Sequence, residues 1–500
     1  MSVWTEIINA ALIGCERKSP SLNGATDRLG GLLAQLDQND REGALLGAAA
    51  LVSLYERAGT LPLKDIPPAP EACEPDDAPR CSERAAGRLA MMLRGEYQEH
   101  LPEWLAKTAA GGARAPEELL PLLLELGRMR EWLREEIAPV LGARGRWLQA
   151  QNQSWDFAIS GLDETLWETG RLDQRIAFLG ALRKRDAARA RELLASSWEN
   201  ESPKDRSSFL IMFNKGLSLD DETFLELALD DKRKEVRQTA ADLLARLPGS
   251  ALGRRMFERA RPLLMFKLGR LKRKEIEIRL PEKCDKAMQR DGVEPKPALR
   301  GVGEKAWWLQ QMLDSIPPKL WSRESGWQAS ELIEAANKSE WKDVLLDGWS
   351  GAAARSRDAE WADTLLGETF EKMDAARLFD VLPPARQESF IIELLRKHPS
   401  LHTTRPAYKF IRSCRRQWGE ALSRAVIDSL LRHPATASSD NVWWPVFTND
   451  IGCCLDPALI PKTISRLTKT TKPPAQPAPA VEQFLNFIQF RHEMLEEINQ

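Results

Sequence analysis

Long hydrophobic runs, an excess of charge of one sign and a cysteine framework are all missing from this 500-residue sequence, and each absence removes a class of function. Nowhere do the roughly 18 uncharged apolar residues that cross a bilayer stand together, so no membrane association is expected. Basic and acidic residues number 71 and 73, a net charge of −2, which gives no global attraction to DNA or to an acidic membrane. The seven cysteines, at 15, 73, 81, 284, 414, 453 and 454, follow no metal-binding spacing. Reduced thiols are expected, and no metal or other cofactor. The opening MSVWTEIINAALIGCERK has no basic leader before its apolar run and reads as an amphipathic helix, not a signal peptide. A cytoplasmic protein is therefore expected. Gly301 and Gly303 precede Lys305, but without the GxxxxGK[ST] pattern or a leading strand they form no phosphate cradle. With no nucleophile, metal or nucleotide signature, no catalytic residue is assigned and the chain reads as a non-enzyme.

What is present is a period. Arg175, Arg206 and Arg237 recur every 31 residues, and behind each the apolar residues fall three, four and seven positions on. These are Phe178, Leu179 and Leu182, then Phe209, Leu210 and Phe213, then Ala240, Ala241 and Leu244. Leu194, Leu225 and Met256 mark a second helix in each unit. A fixed period of this size predicts stacked helix pairs, none of which can bury its apolar face alone. Seventeen tryptophans against three tyrosines supply large wedges to lock helix against helix.

The chain divides accordingly. Residues 1–61 read as N-terminal helices, with Trp4, Ile7, Ile8, Ala11 and Leu12 on one face and Leu45, Leu46, Ala49 and Leu51 in a second run. A Pro-rich acidic loop covers 62–81, its charge serving solubility. Helical repeats fill 82–273, and the segment LGARGRWLQAQNQSW within them, 141–155, reads as a helix-connecting turn. An irregular insertion spans 274–303, where KEIEIRLPEKCD alternates with the period of a short strand. It is the best candidate for a specific contact surface. Helical repeats resume over 304–469, and His398 and His433, each before a proline at a helix end, read as C-terminal caps. A Pro-rich linker, 470–480, leads to a final helix, 481–500, whose Phe484, Leu485, Ile488 and Leu495 dock onto the body or a partner.

One charged run stands out. Between 254 and 274, Arg254, Arg255, Arg259, Arg261, Lys267, Arg270, Lys272, Arg273 and Lys274 meet a single acid, Glu258. Such a run is a candidate anion or nucleic-acid contact through phosphate neutralisation. The alternative is a solvated edge paired with acids from elsewhere in the fold.

The segment LDDKRKEVRQTAADLLARLP, 229–248, is similar to a HEAT repeat through Asp231, Val236, Arg237, Ala240, Ala241 and Leu244, with Asp230 and Asp231 placed to cap the following helix. The resemblance implies an all-α HEAT-like α-solenoid of stacked helical hairpins with a concave surface. Together with WTEIINAALIGCERK, LGARGRWLQAQNQSW, LPEKCDKAMQRDG and GEKAWWLQQML, it resembles an uncharacterised bacterial family known as domain of unknown function 5691. Members of that family tend to be encoded beside a MoxR-type AAA ATPase, a von Willebrand A-domain protein and a SWIM zinc-finger protein. The resemblance implies a shared multi-protein system with such partners, and the repeat, the apolar tail helix and the absence of a nucleophile, metal or nucleotide motif lead to the expectation of a non-catalytic scaffold or adaptor that holds them. The alternative is a nucleic-acid-binding HEAT-like protein resembling the DNA glycosylases of that architecture.

Overall fold

The computed structural model describes residues 3–19, 22, 28–58, 70–155, 164–269, 273–297, 303–372, 375–401, 405–432, 444–470 and 479–498. Among these the chain is all-α apart from one two-stranded antiparallel sheet. It forms two compact units, Met1–Ala72 and Cys73–Gln500, which part within the expected Pro-rich loop. Residues 59–61 and, of that loop, 62–69 lie outside the described residues, as do Arg270, Lys272, Gly301, His433 and 471–478 of the expected linker.

The first unit packs α1 (Val3–Ile13), α2 (Arg28–Leu33) and α3 (Arg41–Ala58) around Ile7, Leu29, Leu33, Ala48 and Val52. The buried face of α1 differs from the one expected. Ile7 and Ala10 point inward while Trp4, Ile8 and Leu12 are exposed, and on α3 the buried positions are Ala44, Ala48 and Val52, with Leu46 outside. Alanines on both helices fill little volume, so their small faces approach and the bulky side chains are left outward.

The second unit begins with α4 (Glu83–Leu93), α5 (Leu101–Ala110), α6 (Leu120–Met129), α7 (Arg134–Ile137) and α8 (Gly142–Gln151) around Leu89, Trp104, Leu123 and Ile137. The segment expected to be a turn is thus α8 itself. The acidic loop does more than solubilise, because Asp76 accepts from the backbone N–H groups of Ala143 and Arg144 and so satisfies donors at the α8 start.

Next come α9 (Thr165–Thr169), α10 (Leu172–Arg185), α11 (Ala187–Ser197), α12 (Pro203–Ile211), α13 (Glu222–Ala228), α14 (Lys234–Ala245) and α15 (Ala251–Ala260). The periodic positions are buried, from Leu179 and Leu194 through Leu210 and Leu225 to Ala240, Leu244 and Met256, with Ala241 partly covered. The recurring arginines form a ladder between successive units. Arg175 lies 4.4 Å over the Trp167 ring and 5.0 Å from the Phe209 ring, and donates through both Nη groups to Glu201. Arg206 lies over Trp198 and donates to Asp231 at 2.6 Å. Asp231 therefore serves the preceding unit and takes the Arg233 N–H; it does not cap α14, whose N-cap Arg233 has no side-chain cap bond.

After α15 come β1 (Leu264–Leu268) and β2 (Lys274–Ile278), paired from Leu264 opposite Ile278 to Leu268 opposite Lys274. The strand expected from the alternation of Ile276 and Ile278 is present, but its partner lies inside the segment expected to be helical. Phe266 directs this hairpin onto Trp321 and Trp327.

The remainder comprises α16 (Lys286–Arg290), α17 (Glu304–Asp314), α18 (Lys319–Ser325), α19 (Ala329–Asn337), α20 (Lys342–Ser356), α21 (Ala359–Thr369), α22 (Ala375–Phe379), α23 (Pro384–Lys397), α24 (Pro406–Ser413), α25 (Glu420–Arg432), α26 (Trp444–Cys454), α27 (Ile460–Thr470) and α28 (Pro479–Ile498). Helices two apart keep company: α10 with α12, α12 with α14, α19 with α21, α20 with α22, α23 with α25, and α24 with α26. One continuous apolar core runs from Trp167 to Ile488. Tryptophans are its wedges, with Trp321, Trp349, Trp361 and Trp418 fully buried and the Trp349 and Trp361 rings edge to face at 5.4 Å. The last helix docks onto its own chain, packing against α26 and α27 and also against α4 and α5. His398 is the C-cap residue of α23, as expected.

Candidate functional site

The fold disperses the basic run. Arg254, Arg255 and Arg259 are on α15, Lys267 on β1 and Lys274 on β2, so the run never forms one helical stripe. Most of its charges meet acids. Arg261 donates to Glu324 at 2.7 Å, Lys267 pairs with Glu277, and Lys274 pairs with Glu331 while lying 5.2 Å over the Trp327 ring. Arg254 and Arg273 are exposed, and neither has an ion pair among the described residues.

Arg255 and Arg259 have a structural occupation. Asp291, 2% exposed, accepts from Arg255 at 2.7 Å and from Arg259 at 2.6 Å, and Glu226 on α13 accepts from Arg255 at 3.0 Å. Arg290 joins this knot through Asp230 at 2.6 Å and Glu226 at 3.4 Å. Burial alone would raise the Asp291 carboxyl, but hydrogen bonds from Arg255 and Arg259 outweigh it and hold the group below the usual carboxylate range. The knot fastens the insertion to α13 and α15.

Beyond Asp291 the insertion turns back along α14. Gly292 has φ +91°, and a Cβ there would meet the Ala241 Cβ at 2.5 Å, so only glycine lets the turn lie this close to the helix. Residues 293–296 are then pinned from the other side. Glu294 N–H donates to Gln311 Oε1 at 2.8 Å, Gln311 Nε2 donates to Glu294 O at 3.1 Å, and Trp308 Nε1 donates to Pro295 O at 2.8 Å. Between this strap and α14 lies a cleft of about 330 Å³, lined among others by Lys234, Arg237, Gln238, Glu294 and Lys296.

A second cavity, about 320 Å³, opens among α17, α20 and α22. At its floor Arg355 pairs with Asp314 and donates to Asp242 of α14 at 3.0 Å. Burial raises the Asp314 carboxyl despite Arg355 beside it. Lys372 donates to Asp347 at 2.7 Å and Asp343 at 3.2 Å. Two buried polar atoms in the lining, Trp307 Nε1 and Ser350 Oγ, have no hydrogen-bond partner among the described residues. Such orphaned groups fit a polar ligand.

Sequence reasoning pointed to the insertion and to Arg255, Arg259 and Lys274, but not to Asp291, Asp314, Glu294 or Lys372. None of these four stands in a local motif, and only packing brings them to their partners. No group of His, Cys, Asp and Glu among the described residues has the geometry to hold a metal ion, and no helix among them is long and apolar enough to cross a membrane. A family model described as a family of unknown function (DUF5691) matches residues 6–498. No curated protein and no solved structure matches the chain.

Proposed function

The chain belongs to the DUF5691 family, described as one of unknown function, and on that premise we propose that it is a non-catalytic cytoplasmic scaffold, a HEAT-like α-solenoid that binds protein partners through its surface. The observation that supports this is the concentration of exposed large apolar side chains in the first unit. Trp4, Ile8 and Leu12 repeat every four residues along α1, and Ile13, Leu32, Leu46 and Leu54 are exposed as well. Solvated apolar stripes cost free energy in a free monomer and are the usual anchors of helix-in-groove recognition. The partners proposed are the MoxR-type AAA ATPase, von Willebrand A-domain and SWIM zinc-finger proteins implied by the family resemblance. Tagged full-length protein from its native host, purified at mild salt, is expected to carry one of these in stoichiometric amount. The double variant Trp4→Ser, Leu12→Ser is expected to lose it. Recovery of the wild-type chain without any of the three sinks the proposal.

A nucleic-acid reading of the DNA-glycosylase kind draws on one observation, the raised Asp314 carboxyl in a polar cavity that Trp307 also lines. It requires salt-sensitive gel shifts with duplex or single-stranded DNA that Arg254→Glu with Arg273→Glu weakens. The pairing of Arg255, Arg259, Arg261, Lys267 and Lys274 with acids favours the scaffold.

A further inference from the structure

The arginine ladder is unfinished at its third rung. Arg175 and Arg206 are each neutralised by a carboxylate, Glu201 and Asp231, that lies 26 and 25 residues further on, and each lies over an aromatic ring. Arg237 occupies the same place in its unit. The corresponding stretch after it holds Pro262 and Leu263, because the chain there leaves the helix pair for the β1–β2 hairpin, and the residue aligned with Trp167 and Trp198 is Leu229. Among the described residues Arg237 is left with two backbone acceptors, Asp231 O at 2.8 Å and Lys232 O at 3.1 Å, both from Nη1. Its side chain lines the cleft beneath the 293–296 strap.

The cleft fits an anion in other respects. Lys234, Arg237 and Lys296 bring three positive charges against Glu294 alone. Lys296 is exposed and has no ion pair among the described residues. Glu294 bonds Lys234 at 3.0 Å and Gln238, not Arg237. The walls are already in place, since the strap is pinned by Gln311 and Trp308 and α14 is part of the core, so little ordering would oppose binding.

We infer that this cleft is a binding site for an acidic side chain of a partner polypeptide, whose carboxylate Arg237 takes through Nε and Nη2, its Nη1 being held by Asp231 O and Lys232 O. A planar guanidinium matches a carboxylate through two parallel hydrogen bonds, which is how Arg175 holds Glu201. The inference rests on the scaffold reading only for the source of the carboxylate, and its test uses the purified chain without any cellular partner.

The probe is a fluorescent, C-terminally amidated oligo-glutamate peptide, titrated onto the full-length protein at low salt and followed by anisotropy. An oligo-glutamine peptide and an oligo-dT strand are run beside it. The glutamate peptide is expected to bind and the glutamine peptide not to. Arg237→Gln is expected to weaken binding about tenfold, the loss of one charge-assisted pair. Lys296→Glu, at an exposed position without an ion pair among the described residues, is expected to weaken it at least as much. Glu294→Gln, which removes the competing carboxylate, is expected to tighten it. Absence of peptide binding, binding indifferent to Lys296→Glu, or displacement of the peptide by oligo-dT at lower concentration would each overturn the inference. None of these outcomes bears on the apolar surface of the first unit, so the scaffold reading stands or falls separately.

Discussion

Arg491, on the last helix, is fully buried and closes on Glu103 of α5, 388 residues earlier, with Nε at 2.6 Å from Oε2 and Nη2 at 2.8 Å from Oε1. Its Nη1 also donates to the carbonyls of Gly452 at 2.9 Å and Leu455 at 2.6 Å. One guanidinium therefore joins α5, α26 and α28. Substituting Arg491→Met leaves Glu103 and two carbonyls without their donor, an expected loss of about 3 kcal/mol. Urea unfolding of the purified variant measures it, and a change below about 0.5 kcal/mol would show that the end of the chain is not held this way.

His100 gives this junction a pH dependence. Its Nε2 lies 3.2 Å from Phe487 O, and its ring packs 4.1 Å from that of Phe487. Burial and the nearby Arg491 lower its pKa to about 3, although the Phe487 carbonyl acts in the other direction. The folded state thus keeps the ring neutral where an unfolded chain, with a pKa of about 6.5, binds a proton. The contribution is whole above the unfolded value and declines as pH falls from there toward 3, by up to about 1.4 kcal/mol per pH unit. Stability measured at pH 7, 6 and 5 is expected to fall before the carboxylates titrate. His100→Gln is expected to flatten that arm, and an equal slope in the variant would rule His100 out as its origin.

Asp221 governs a lower range. It is fully buried, and although burial would raise it, Arg183 and Arg191 donate to it and hold its pKa down. A depressed carboxylate stabilises the fold above its unfolded pKa of about 3.9 and is lost as pH falls through the folded value. Asp221→Asn is expected to cost about 3 kcal/mol at pH 7, because Arg183 stays buried without its counter-charge, and less at pH 3. Acid and neutral urea titrations compared side by side decide it; an undiminished cost in acid contradicts the pairing.

Gly348 sets how closely α17 and α20 approach. A Cβ there would stand 2.7 Å from the Leu313 Cβ and 3.1 Å from Gln310 O, atoms that move only with their helix. Gly348→Ala is expected to destabilise by about 1–3 kcal/mol despite the better helix propensity of alanine. A rise in melting temperature would mean that the two helices are not in tight contact.

The thiols should separate by burial. Burial pushes Cys81 up to about 11 and Cys454 up to about 12, and Cys453 higher still. Maleimide labelling of native protein followed by peptide mapping is expected to modify the partly exposed Cys15 and Cys73 and to spare Cys81, Cys414 and Cys454. Rapid modification of Cys454 would contradict the packing of α26.

How much could be read in advance varies along the chain for physical reasons. The helices over 175–260 and their buried positions were legible because burial on one side of a helix imposes a 3.6-residue rhythm that repeats with each unit. The strand at Ile276 and Ile278 was legible for the same reason, with its period of two. The inward face of α1 was not, because apolar side chains lie all round that helix and only the alanines of α3 decide which of them is covered.

The amino-acid sequence by itself determined the helical class and the short strand at Ile276 and Ile278, since each is a pattern of near neighbours. Only the tertiary structure decided that Arg255 and Arg259 are taken up by Asp291, that Arg491 reaches back to Glu103, and that Arg237 meets no carboxylate among the described residues. Charges act over a few ångströms of space, and which charges come that close is settled by how the helices stack, not by their separation along the chain.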